Sequence, residues 1–121
     1  MWIFSTLGFF SIVQHKADKA PFLVRARERE DLVNLCRAAS IDPRLVQHTP
    51  ERDYAYRVQI GGGQLPAVFD ALEASIDYPN FKDAVKHTEG QDRKVGPYTR
   101  VWGIMADVQD TPPYSGKVRS R

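Results

Sequence analysis

Two stretches of strict alternation limit what this chain can fold into more than any other feature of its 121 residues. In residues 22–27, Phe22, Val24 and Ala26 alternate with Leu23, Arg25 and Arg27. In residues 54–60, Tyr54, Tyr56, Val58 and Ile60 alternate with Ala55, Arg57 and Gln59. Successive side chains of a strand point to opposite faces, so both stretches predict strands with one apolar face and one face bearing arginine. Sheets of this kind cover the apolar face with helices and leave the other face polar.

The other segments fit around that sheet. Residues 8–15, rich in Phe, Ile and Val, predict a strand that forms a hairpin with 22–27 through a turn at 16–21. Residues 2–5 add a short strand or extend the first, and residues 45–49 give another short strand before a turn at 50–53. A helix is expected over 30–39, where Leu32, Leu35, Cys36 and Ala39 follow the i, i+3, i+4, i+7 pattern. Asp42-Pro43 breaks it. Gly61-Gly62-Gly63 ends the 54–60 strand and leads into a helix over 64–75, with Leu65, Val68, Phe69, Leu72 and Ile76 on one stripe. Pro66 is compatible with its first turn. A short helix over 79–86 and a polar loop at 87–94 precede a last helix over 97–109. Its expected apolar stripe is Tyr98, Val101, Ile104, Met105 and Val108. This order predicts an α+β fold: a four-stranded antiparallel sheet with helices on one face, ferredoxin-like in a permuted chain order, with C-terminal helices added and other four-stranded α+β topologies left open. Residues 1–109 are expected to be one domain and 110–121 a flexible basic tail.

The net charge of +2 comes from that tail, because residues 1–109 hold 14 basic and 14 acidic side chains. Within this neutral body the charges are sorted. Residues 61–92 carry two basic and six acidic side chains, whereas 8–27 carry four basic and one acidic. A basic sheet and acidic helices are the expected outcome. The single cysteine, Cys36, forms no intrachain disulfide, which points to a cytoplasmic protein. Residues 1–13 lack the charged start and cleavage site of a signal peptide, and no stretch is long and apolar enough for a membrane span.

Several stretches look familiar together: Gly8-Phe9-Phe10-Ser11-Ile12-Val13, Val24-Arg25-Ala26-Arg27, Asp53-Tyr54-Ala55-Tyr56-Arg57-Val58, Asp77-Tyr78-Pro79-Asn80-Phe81-Lys82, and residues 98–108 with Trp102. Over residues 1–109 the chain resembles a family of small uncharacterised bacterial proteins with no assigned activity. The resemblance implies no catalytic residues. The first strand is also similar to the RNA-recognition-motif signature strand Gly-aromatic-small-aromatic-Val, and departs from it at Phe10 and Ser11.

The candidate site is the polar sheet face with Arg25, Arg27, Arg57 and Gln59. Depending on register, the first strand adds either Phe10 and Gln14 or Phe9, Ser11 and His15. Arginine forks on neighbouring strands suit phosphate or carboxylate, and an aromatic beside them suits a nucleic-acid base. A second candidate is the polar loop with Asp77, Tyr78 and Asn80. Gly61-Gly62-Gly63 lacks a phosphate-loop signature and reads as a turn. Cys36 lies on a buried helix stripe, and His15, His48 and His87 lack metal-ligand spacing. No catalytic residue, metal or cofactor is expected. The expected activity is binding: an interaction module that self-associates through the arginine face or the Trp102 helix, or a binder of nucleic acid or an anionic ligand. A small enzyme using Asp77 and Tyr78 is the weakest of these readings.

Overall fold

A computed structural model describes residues 1–15 and 20–109, so most of the 16–21 turn and the whole 110–121 tail lie outside the described residues. Contacts divide the chain into two compact units, Met1–Pro79 and a second that begins at Asn80.

The first unit contains strands β1 (Trp2–Phe4), β2 (Phe9–Gln14), β3 (Phe22–Ala26), β4 (Gln47–His48) and β5 (Tyr56–Ile60), with helices α1 (Arg29–Ala38) and α2 (Leu65–Ala74). The strands form one sheet in the order β1-β2-β3-β5-β4, and every neighbouring pair is antiparallel. The fold is α+β as expected, but the sheet has five strands where the sequence predicted four. The added strand is β1. The chain reverses tightly between Ser5 and Gly8, whose main chains exchange two hydrogen bonds of 3.0 and 3.2 Å. Pairing of Ile3 with Phe10 follows from that turn.

A glycine is required there. The Gly8 backbone has φ +150°, and a Cβ on it would lie 2.3 Å from Cγ of Asp31. Asp31, buried in the first turn of α1, accepts a hydrogen bond from Phe9 N at 3.1 Å. Asn34, one turn further on, donates to the Leu7 carbonyl at 3.0 Å. The start of α1 is therefore fastened to the β1–β2 turn by two polar side chains. The other end of α1 closes with Ser40 in the left-handed region at φ +58°, while Ile41 N reaches back to the Cys36 carbonyl at 2.8 Å.

The inner face of the sheet carries the core. Ile12, Val24 and Val58 stand side by side across β2, β3 and β5. Phe10, Ala26 and Ile60 are buried with them against Leu32, Leu35 and Cys36 of α1 and Val68 and Leu72 of α2. The predicted α1 stripe is buried throughout, Ala39 included. The predicted α2 stripe is not: Phe69 and Ile76 are exposed, because Val68, Ala71 and Leu72 supply the buried side of that helix.

The second unit contains α3 (Phe81–Lys86), a 3-10 turn at Asp92–Lys94 inside the predicted polar loop, and α4 (Val95–Ala106). The rings of Phe81 and Tyr98 stack at 5.8 Å, and the Lys82 ammonium sits 5.2 Å from the Trp102 ring. Of the expected α4 stripe only Tyr98 is buried. The packed side of α4 follows the i, i+4, i+8 ridge through Tyr98, half-exposed Trp102 and Ala106. Val101, Ile104, Met105 and Val108 lie beside that ridge and stay exposed. Among the described residues no helix is long and apolar enough to cross a membrane.

Candidate binding pocket on the outer sheet face

Period-two alternation puts Ser11, Arg25, Arg57 and Gln47 in one row across the outer face of β2, β3, β5 and β4. Of the two registers considered for β2, the one with Phe9 and Ser11 on the arginine face is therefore the one adopted. Each arginine of the candidate site has a defined partner. Arg25 Nη2 donates to Ser11 Oγ at 2.8 Å. Arg27 Nη1 donates to the Asp53 carbonyl at 2.8 Å. Arg57 Nε donates to Thr49 Oγ1 at 3.0 Å, and its Nη2 lies 3.4 Å from the Tyr54 carbonyl.

Those partners show that the β4–β5 connection folds onto the outer face. Thr49 Oγ1 donates to the Tyr54 carbonyl at 3.0 Å, and Tyr54 N donates to Asp53 Oδ1 at 2.9 Å. Tyr54 was expected on the apolar face with Tyr56, Val58 and Ile60. Instead β5 starts at Tyr56, and Tyr54 is buried with the guanidinium carbons of Arg25 and Arg27 each 4.6 Å from its ring centroid. The alternation ends because the Asp53 and Thr49 side chains take up the Tyr54 main chain. Arg25 and Arg27 thus hold the connection in place by cation–π contact and hydrogen bonding. Arg25 Nε is buried without a hydrogen bond among the described residues.

Next to this fastening lies a pocket of about 210 Å³ lined by His15, Leu23, Gln47, Thr49, Arg52, Arg57 and Gln59. Gln59 Nε2 and His15 Nδ1 are 3.1 Å apart at its rim. The Arg57 guanidinium is held below its ordinary pKa, first by burial and then by the charges of Arg52 and Arg25, with Asp53 and Glu51 acting in the opposite sense. Arg52 meets Glu51 only loosely, at 4.0 Å, with both side chains largely exposed. Such an arrangement offers two guanidinium groups and two amides to an oxyanion, and the anion's charge would relieve the crowding of the arginines.

Sequence reasoning found Arg57 and Gln59 of this pocket and placed Arg25 and Arg27 on the same face. It missed Gln47, Thr49 and Arg52. The only signal for them was the short strand expected at 45–49, which puts Gln47 beside Arg57 once paired. Besides Tyr54, aromatic residues gather at the β1 side of this face, where Phe9 stacks on Phe4 at 4.5 Å and meets Trp2 edge-on at 6.3 Å.

The residues of the second candidate, Asp77, Tyr78 and Asn80, have separate surroundings. Asn80 Oδ1 accepts from Asp83 N at 2.9 Å and so caps α3. Tyr78 borders an apolar groove of about 430 Å³ with Ile3, Phe69, Leu72 and Ile76. Its phenol is pushed up in pKa by burial and then by the neighbouring Asp77 charge. Asp77 is exposed. At the glycine run, Gly61 N already donates to Gln64 Oε1 at 2.8 Å. Cys36 is buried, and burial, then the Asp42 charge, raise its thiol pKa. Among the described residues no cluster of three or more His, Cys, Asp or Glu side chains could hold a metal ion. No family model, curated protein or solved structure matches this chain.

Proposed function

We propose that this protein is a binding module whose outer sheet face takes a small anionic ligand, one bearing a phosphate or carboxylate group. The observation that carries this reading is the convergence of Arg52, Arg57, Gln47, Gln59 and Thr49 on one pocket of about 210 Å³. That volume is below the range of sites for drug-sized ligands, so it suits a single anionic group with a small substituent. An extended nucleic-acid strand is the less favoured partner. Arg25 and Arg27 are committed to Tyr54 and Asp53, the Tyr54 ring is buried, and Phe4 and Phe9 stack on each other at the β1 side. On the fold, we read the order β2-β3-β5-β4 as a ferredoxin-like sheet in permuted order, extended by β1.

Isothermal titration calorimetry with inorganic phosphate, and in parallel with acetate and a short single-stranded RNA, tests the reading. Phosphate or acetate should bind the wild-type chain, and Arg57→Gln should weaken that binding about tenfold or more, the scale of a lost hydrogen bond to a charged group. Equal binding by wild type and the Arg52→Gln/Arg57→Gln double variant would overturn it. So would binding of RNA alone with a steep salt dependence.

A further inference from the structure

The apolar groove beside Tyr78 lies within the first unit and shares no residue with the anion pocket. It holds about 430 Å³, inside the range of about 300–1,000 Å³ that small-molecule sites occupy. Ile3 and Phe4 of β1 form one wall; Phe69 and Leu72 of α2, with Ile76 and Tyr78 beyond it, form the other. Phe69 and Ile76, the two members of the predicted α2 stripe that the core leaves out, both border this space, 37% and 66% exposed. Three polar groups at the groove are held by the chain itself. Ser5 Oγ donates to the Gly8 carbonyl at 2.9 Å, Ser75 Oγ to the Leu72 carbonyl at 2.6 Å, and the Met1 ammonium to the Ile12 carbonyl at 3.0 Å. Glu73 also lines the groove; it is exposed, and its carboxylate forms no ion pair among the described residues.

Charge distinguishes the ligands that such a groove admits. Residues 61–79 carry three acidic side chains, Asp70, Glu73 and Asp77, and no lysine or arginine. The Asp77 charge is felt at the groove, since after burial it is what raises the pKa of the Tyr78 phenol. An anion meets repulsion here, and a neutral molecule leaves the Glu73 carboxylate unused. A cation gains twice, from that carboxylate and from aromatic rings, of which Phe4, Phe69 and Tyr78 line the space. We propose that this groove is a second ligand site and takes a small organic cation: an ammonium group on an alkyl or arylalkyl body, the body against Ile3, Leu72 and Ile76 and the ammonium at Glu73.

NMR titration of the full chain with three probes of similar shape tests the proposal: 2-phenylethylamine, 2-phenylethanol and 3-phenylpropionate. Circular dichroism melts verify that each variant is folded. The amine should bind with a Kd of about 1 mM or below, moving the amide signals of β1 and α2. The alcohol should bind about tenfold more weakly and the carboxylate more weakly still. Glu73→Gln should weaken the amine about threefold to fivefold, the scale of an exposed ion pair, and leave the alcohol unchanged. Ile76→Ser, at a position outside the core, should weaken amine and alcohol alike. An amine that fails to bind at about 10 mM overturns the proposal. So does an alcohol that binds as tightly as the amine, or an amine affinity that Glu73→Gln or Ile76→Ser leaves unchanged. A wild-type dimer in sedimentation equilibrium that Ile76→Asp converts to monomer overturns it as well, because the groove would then be a subunit interface.

Discussion

Gly8 and Asp31 meet where the first turn of α1 touches the β1–β2 turn, and the fit leaves no space for a methyl group. A Cβ on Gly8 would fall within 2.7 Å of three Asp31 side-chain atoms. Because Asp31 is buried and holds Phe9 N, it cannot swing away without leaving a buried main-chain donor unpaired. Gly8→Ala is expected to destabilise the fold by about 2–4 kcal/mol, read from urea midpoints at constant slope. Cys36 illustrates a different residue-scale effect. Its thiol pKa is raised in the folded chain by burial and by Asp42. A raised pKa means that the folded state keeps its proton longer than the unfolded state does. The stability linked to this group is therefore complete below the unfolded thiol value and is lost as pH rises through the folded one. Wild-type stability should fall as pH rises above the ordinary thiol value of about 8.5, and Cys36→Ala should show a shallower fall. Equal slopes for the two chains would contradict this assignment.

At the scale of elements, periodicity identified what local sequence determines and missed what tertiary contacts decide. The α1 stripe and the faces of β3 and β5 were legible because one buried face dictates one repeat. Tyr54 continued the β5 alternation in sequence and left it in space, since Asp53 and Thr49 bind its main chain and two arginines cover its ring. The same refolding of the β4–β5 connection brings Thr49 and Arg52 to the pocket, so their place could not be read from any spacing. In α4 the apolar residues were recognised as a stripe, but helical spacing does not say which of two adjacent ridges is buried. Gly103 gives a check on that assignment. It lies off the exposed stripe, and a Cβ added there meets nothing within 4 Å. Gly103→Ala should stabilise the chain by about 0.5–1 kcal/mol, measured by denaturant unfolding.

Across the whole molecule, the position of a charge says more than the number of charges. The overall +2 comes from residues 110–121, so the proposed anion binding rests on local charge and not on the charge of the whole chain. Arg25 and Arg27 stabilise a connection, Arg57 bonds that connection and also lines a pocket, and Arg52 lines the pocket alone. On the proposed reading the arginines of the outer face share out a structural and a binding task, with Arg57 taking part in both, a division that a row of arginines in a sequence does not reveal. The most direct measurement is an NMR titration of the full chain with inorganic phosphate, following the Arg57 Nε–H and the side-chain amides of Gln47 and Gln59. The account expects these signals to move together along one saturating curve, while those of Arg25 and Arg27 stay nearly still. Signals that do not move at saturating phosphate, or that move equally at every exposed arginine and lysine, would contradict it.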